Sequence, residues 1–340
     1  MDVCRYEHMS KKYVYEDNVF SFEGCLSIEA NGNYVSPWRI SFNDADFYYT
    51  IKDARGHEAA GIRLCFTTDS RNILLIMDSP EKDMMLDLFV DGSNVKDILV
   101  DNNIAFIDGL SSNLKEIEIW LDQRYPFKLK SINIDQGSMI KMTILNKEKW
   151  VHYGSSISQC KLCGRPSQVW PSLVARKLNL DLINLGFDQQ CKCDVMVARM
   201  IRDMPLDYIT MSLGVNIYNG DLTKRTFPAS VIGFVKIIRE KHPTTPIVII
   251  SPIYAPLWEK VFGSSGYDIE DIRKILLNLT NIFKHNDDKN IFYVNGLSIL
   301  DKKDKNLLID NLHPGSDSQS LISHRFIENV FGVLSKGFKD

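Results

Sequence analysis

Nothing in this 340-residue chain marks it as a membrane or nucleic-acid protein. The roughly 20 consecutive apolar residues of a membrane helix are missing. So is an excess of positive charge: 40 Lys and Arg stand against 43 Asp and Glu, a formal net charge of −3. No basic face is therefore offered to a polyanion. The N-terminal MDVCRYEHMSKKYVYED lacks the apolar centre of a secretory signal. Seven cysteines, an odd number, cannot all pair. Together these two features favour a reducing, cytoplasmic setting. Internal repeats and low-complexity tracts are also missing.

What is present falls into two halves of different rhythm. From Val19 to about Ile144, short alternating or aromatic-rich runs such as WRISFNDADFYYTI, GIRLCFTTD and EIEIWLD are broken by Asn-Gly, Asp-Gly and Asp-Ser punctuation. This spacing predicts an antiparallel β-sandwich, jelly-roll-like, over residues 1–145. After Lys147 the pattern becomes strand, loop, helix, repeated. Strands are expected at Trp150–Tyr153, Leu182–Leu185, Tyr208–Leu213, Ile247–Ser251 and Ile291–Val294, as near-continuous apolar runs. Amphipathic stretches at Val169–Leu178, Asp194–Asp203, Phe227–Lys241, Ile269–His285 and Ser318–Leu334 alternate with them or follow them. This predicts a three-layer α/β/α domain over 146–340 with a five-stranded parallel sheet. Ligands of such sheets bind beyond the carboxyl ends of the strands.

Those ends carry Gly154-Ser155-Ser156, Leu185-Gly186, Gly214-Val215-Asn216 and, further on, Asp310 and His313. The chemistry they support is acyl transfer. A serine hydroxyl needs a histidine to take its proton, and Asp310 is placed to orient His313. Donors for the oxyanion are available in the N–H groups of Ser156 and Gly186 and the amide of Asn216. Glycine at 186 would keep a side chain clear of the acyl carbonyl.

Four blocks, YGSSIS, NLGF, LGVNIYN and DNLHP, occur in this order at strand ends. In this the chain resembles the SGNH (GDSL-type) hydrolases from about Trp150 to the C-terminus. The resemblance implies Ser156 as nucleophile, His313 as general base, Asp310 as its orienter, and Ser156, Gly186 and Asn216 as oxyanion hole, with Asn219 a substrate contact. No metal or organic cofactor is implied. Ser155 stands where the family usually has aspartate, and Ile217 where it often has a second polar residue. WVHYGSSISQC, RPSQVWPSLVAR and NLGF are similar to a two-domain branch with an N-terminal β-sandwich. That branch includes tailoring acyltransferases and acylesterases of specialised metabolism, and two-domain carbohydrate esterases share its layout. The expected substrate is a small-molecule acyl ester, an acylated sugar or a polyketide or peptide metabolite. A hydrolase-like binding module that has lost activity is the alternative.

Other features read more plainly. Ser155 alone would be a turn or N-cap residue. Strand alternation directs His152 into the core, away from the exit loop, and His324 in the last helix reads the same way. Cys160, Cys163, Cys191 and Cys193 read as free thiols walling the acyl pocket, with a Cys4 zinc site or a disulfide as alternatives. Trp38, Tyr48, Tyr49 and Trp120 read as core or interface aromatics, with a sugar-binding face as the alternative.

Overall fold

The structure, a computed structural model, describes residues 11–52, 55–143 and 145–337. The first ten residues, Cys4 among them, and Ile144 lie outside the described residues. The chain divides into two compact units. One takes the chain up to Ala45, Lys52–Asn146 and Arg165–Ser167; the other takes Asp46–Ile51, Lys147–Gly164 and the chain from Gln168 on.

The first unit is a pair of six-stranded antiparallel sheets. One runs Ser27–Ala30, Val35–Trp38, Leu129–Ile134, Ile73–Met77, Ile104–Ile107, with Lys11–Tyr13 also on Leu129–Ile134. The other runs Ile140–Lys141, Arg63–Thr68, Lys115–Trp120, Met85–Val90, Ser93–Leu99, with Ser21–Glu23 on Arg63–Thr68. Inward residues of both sheets, among them Leu64, Phe66, Leu75, Leu88, Ile119 and Ile132, share one buried core. That is the sandwich that period-2 alternation anticipates. Of its aromatics, Trp120 is buried, half-buried Trp38 stacks on His57 with ring centroids 4.0 Å apart, and Phe42 is exposed.

The second unit holds five parallel strands: β1 (Lys149–Gly154), β2 (Asp181–Gly186), β3 (Tyr208–Ser212), β4 (Ile247–Ile250) and β5 (Ile291–Val294). All four residues of β4 are buried, which explains why this strand reads as unbroken Ile-Val-Ile-Ile. The order β2-β1-β3-β4-β5 places the reversal of winding beside β1. The crevice at such a switch opens beyond the carboxyl end of that strand. Around the sheet run α1 (Ser156–Gln159), α2 (Trp170–Leu178), α3 (Val195–Asp203), α4 (Thr226–Arg239), α5 (Ile269–His285) and α6 (Gln319–Phe326). In α5, Asp268 caps the first turn through the Asp271 N–H at 2.7 Å, and Ile269, Ile272, Leu276, Leu279 and Phe283 form one buried stripe. Tyr48 is buried in this unit while Tyr49 is exposed.

The final helix is interrupted where Ser318–Leu334 predicts continuity. A π turn over Ile327–Phe331 separates α6 from α7 (Gly332–Gly337). The wider turn brings Phe326 and Phe331, five residues apart, onto one face. Both then reach Trp150, at centroid distances of 5.7 and 5.4 Å. Among the described residues, no helix is long and apolar enough to cross a membrane.

Candidate active site

β1 ends at Gly154, and the chain turns at once into α1, a single helical turn. Ser155 is the N-cap: its backbone is extended and its Oγ accepts the Ile157 N–H at 3.3 Å. Ser156 is thus the first helical residue, where a backbone N–H has no intrahelical partner. Cys160, in the left-handed conformation with φ 62°, closes the turn and donates its N–H to the Ser156 carbonyl at 2.8 Å.

Beneath α1 lies a buried polar chain. Trp150 Nε1–H donates to Thr210 Oγ1 at 2.8 Å, Thr210 Oγ1 meets His152 Nδ1 at 2.8 Å, and His152 Nε2 meets Ser158 Oγ at 2.7 Å. Burial holds the His152 imidazole down to about 3, so it is neutral. His152 is indeed internal, but it points up to α1 rather than away from the exit loop. His324, by contrast, is exposed and lies 3.2 Å from Glu328, not in the core.

Ser156 Oγ lies 2.8 Å from His313 Nε2. On the other side of the ring, His313 Nδ1 is 2.7 Å from Asp310 Oδ2. Asp310 Oδ1 accepts the N–H groups of Leu312 and His313 at 3.0 and 2.7 Å. Both carboxylate oxygens are therefore engaged in one tight turn, which Asn311 makes possible with φ 65° and which the Leu308–Pro314 bridge closes. Partial burial pushes the Asp310 carboxyl up, but the hydrogen bonds from His313 and Leu312 outweigh it and leave it below the ordinary carboxylate range. An ionised Asp310 accepts the Nδ1 proton, so Nε2 faces Ser156 as an acceptor.

The other expected site residues are placed unevenly. Asn216 sits on the 3-10 turn Val215–Ile217, and its Oδ1 accepts the Cys191 N–H at 3.0 Å, which leaves the amide N–H groups directed elsewhere. The Gly186 N–H, an expected oxyanion donor, donates to Asn184 Oδ1 at 2.8 Å. Glycine is required there because of α1, since a Cβ would lie 2.4 Å from the Gln159 nitrogen and 2.7 Å from the Ser158 carbonyl carbon. Gly186→Ala is expected to cost about 1–3 kcal/mol by overpacking and to lower the thermal midpoint by several degrees. An unchanged midpoint in calorimetry would mean that α1 yields freely. Asn219 is exposed and does not line the cavity at Ser156.

That cavity, of about 270 Å³, is lined by Ser156, His313, Cys160, Cys163 and Gln189 among others. Gln189 is the residue the sequence left unmarked. It adopts φ 60°, a conformation that usually selects glycine. The loop that carries it is tied to α1 by Gln159 Oε1, which accepts the Asp188 N–H at 2.9 Å. Of the four cysteines, two line this cavity, and Cys191 and Cys193 do not. All four are thiols, and burial pushes Cys160, Cys191 and Cys193 up. Cys163 is drawn down by its hydrogen bond with Cys160. Among the described residues, no group of three His, Cys, Asp or Glu is arranged to hold a metal.

A strand-end serine, a histidine on its Oγ and a carboxylate behind the ring thus stand together on a parallel sheet wound in this order. The chain belongs to the GDSL-like lipase/acylhydrolase family, which matches residues 147–334, and it is an enzyme of that family. Residues 20–130 match the N-terminal domain of SsfX3. A salicylyl-acyltransferase, SsfX3, from a tetracycline biosynthetic pathway is 26% identical, with a TM-score of 0.89 over 96% of this chain and 98% of that one. A GDSL-like lipase structure from Bacteroides ovatus is 20% identical, with a TM-score of 0.75 over 97% and 98%. A family two carbohydrate esterase from Clostridium thermocellum, solved with cellohexaose, is 11% identical, with a TM-score of 0.66 over 92% and 99%. These last two are likenesses of fold. Among curated protein sequences none matches.

Proposed function

We propose that the protein is a serine-dependent ester hydrolase or O-acyltransferase, with residues 146–340 as catalytic domain and 1–145 as an accessory sandwich. One observation carries the reading: Ser156, His313 and Asp310 stand in a continuous relay at 2.8 and 2.7 Å. Ser156 Oγ attacks an ester carbonyl as its proton passes to His313 Nε2. Asp310 holds the tautomer and stabilises the imidazolium. The intermediate's oxyanion is held by the Ser156 N–H and the Asn216 amide. The Gln189 N–H serves as third donor in place of Gly186, supported by the position of Gln189 on the same cavity. Collapse expels the alcohol, which takes the proton from His313 and leaves an acyl-Ser156 ester. Water or an acceptor hydroxyl then reverses the sequence. No cofactor enters any of these steps.

The substrate is a small-molecule ester, an acylated sugar or a specialised metabolite; the relatives act on both kinds. Neither departure from the family's motifs argues for a lost activity, because Ser155 caps α1 and Ile217 is buried. The test is turnover of p-nitrophenyl esters with and without alcohol and sugar acceptors. An active esterase releases p-nitrophenol in simple buffer, and a transferase gives acylated acceptor at the expense of free acid. No release and no transfer with any donor would refute the reading.

A further inference from the structure

A second, smaller cavity of about 40 Å³ lies at the carboxyl ends of β3 and β4, under α1. Its walls include Ile157, Trp170, Val215, Ile253, Ile322 and Phe326, and none of its lining residues is ionisable. Of the four serines that reach it, three have hydroxyl partners: Ser155 Oγ caps α1, Ser158 Oγ meets His152, and Ser251 Oγ accepts from Tyr293 and Gly296; Ser212 is the fourth.

Its place relative to the relay is informative. Ser155 and Ile157, which flank Ser156, both line it, as do Leu312 before His313 and Val215 before Asn216. It therefore adjoins the reacting centre without containing Ser156 or His313. Those two residues line the 270 Å³ cavity instead. In acyl transfer the histidine must protonate the departing oxygen, so the alcohol portion lies on the histidine's side. The acyl chain then needs space of its own beside the nucleophile, and an apolar recess lined by the sequence neighbours of Ser156, Asn216 and His313 supplies it.

We propose that this recess is the acyl pocket, and that its size restricts the enzyme to short aliphatic acyl groups, acetyl to about butyryl, and rejects aromatic ones. The proposal rests on the acyl-serine reading above. A water-sized centre occupies roughly 10–15 Å³, so the recess accepts on the order of three heavy atoms. Each further methylene would have to displace Trp170, Ile322 or Phe326 from a close-packed wall. The restriction differs from the salicylyl group named for the 26% identical acyltransferase.

The experiment compares p-nitrophenyl acetate, butyrate, hexanoate, octanoate and benzoate, with fluorophosphonate labelling of Ser156 run in parallel. For the wild type, kcat/KM is expected to fall at least tenfold from butyrate to hexanoate and to benzoate. Ile322→Ala should raise the hexanoate-to-acetate ratio about fivefold or more, and Val215→Phe should lower the butyrate-to-acetate ratio by a similar factor. The two variants act in opposite directions, so a stability loss in one cannot imitate both. A wild-type profile that is flat or rises to octanoate or benzoate, or ratios unmoved in both variants while Ser156 still labels, would overturn the pocket assignment. Absence of both label and turnover would overturn the acyl-serine reading, and the pocket with it.

Discussion

Ser156→Ala is expected to lower kcat/KM for any accepted ester by roughly 10⁴-fold or more and to abolish fluorophosphonate labelling. The Ser156 hydroxyl's bond is to His313, while the one-turn helix around it is held by backbone groups: the N–H groups of Ser158 and Gln159 on the Ser155 carbonyl, and that of Cys160 on the Ser156 carbonyl. Alanine leaves all of those bonds in place. The thermal midpoint should stay near that of the wild type, which separates loss of chemistry from loss of fold. Residual turnover would come from the oxyanion donors and from binding. Labelling that persists in Ser156→Ala would sink the nucleophile assignment.

Asp310→Asn is expected to reduce kcat by roughly 10³- to 10⁴-fold with little change in KM. The asparagine Oδ1 can still accept the N–H groups of Leu312 and His313, so the turn survives. The second atom is now an NH₂ facing His313 Nδ1. That nitrogen must become an acceptor, and the proton moves to Nε2, opposite Ser156 Oγ. The ring can no longer take the serine proton. A steady-state comparison with Asp310→Ala checks this: both variants should lose kcat, and Ala should also destabilise the turn. Wild-type kcat in Asp310→Asn would remove the carboxylate from the relay.

Most of the α/β half was legible because each signal had one physical cause. Buried parallel strands must be apolar on both faces, so β1 to β5 stood out as runs. Serine, histidine and aspartate at strand ends have few other reasons to be collected there. What escaped was governed by contacts distant in sequence. Gly186 marked the correct loop, but its need for glycine comes from the approach of Gln159 and Ser158, and its N–H is taken by Asn184. Gln189 carries no sequence signal, because a left-handed glutamine is invisible until the backbone is known. The outward course of Asn219 and the exposure of His324 depend on turns that residue pattern does not encode. In the sandwich, alternation was enough to fix the class, but not which aromatic residues turn inward.

The Leu308–Pro314 turn has a further consequence for how this enzyme is switched off. It brings both His313 and Asp310 to Ser156 across 157 residues of chain, yet the Asp310 side chain is 49% exposed and the turn is closed by an isolated bridge. Segments with so little buried surface open far more readily than a sheet core. Turnover is therefore expected to fall in mild denaturant before the far-UV circular dichroism of the sheet does, and simultaneous loss of both would count against local opening of this turn.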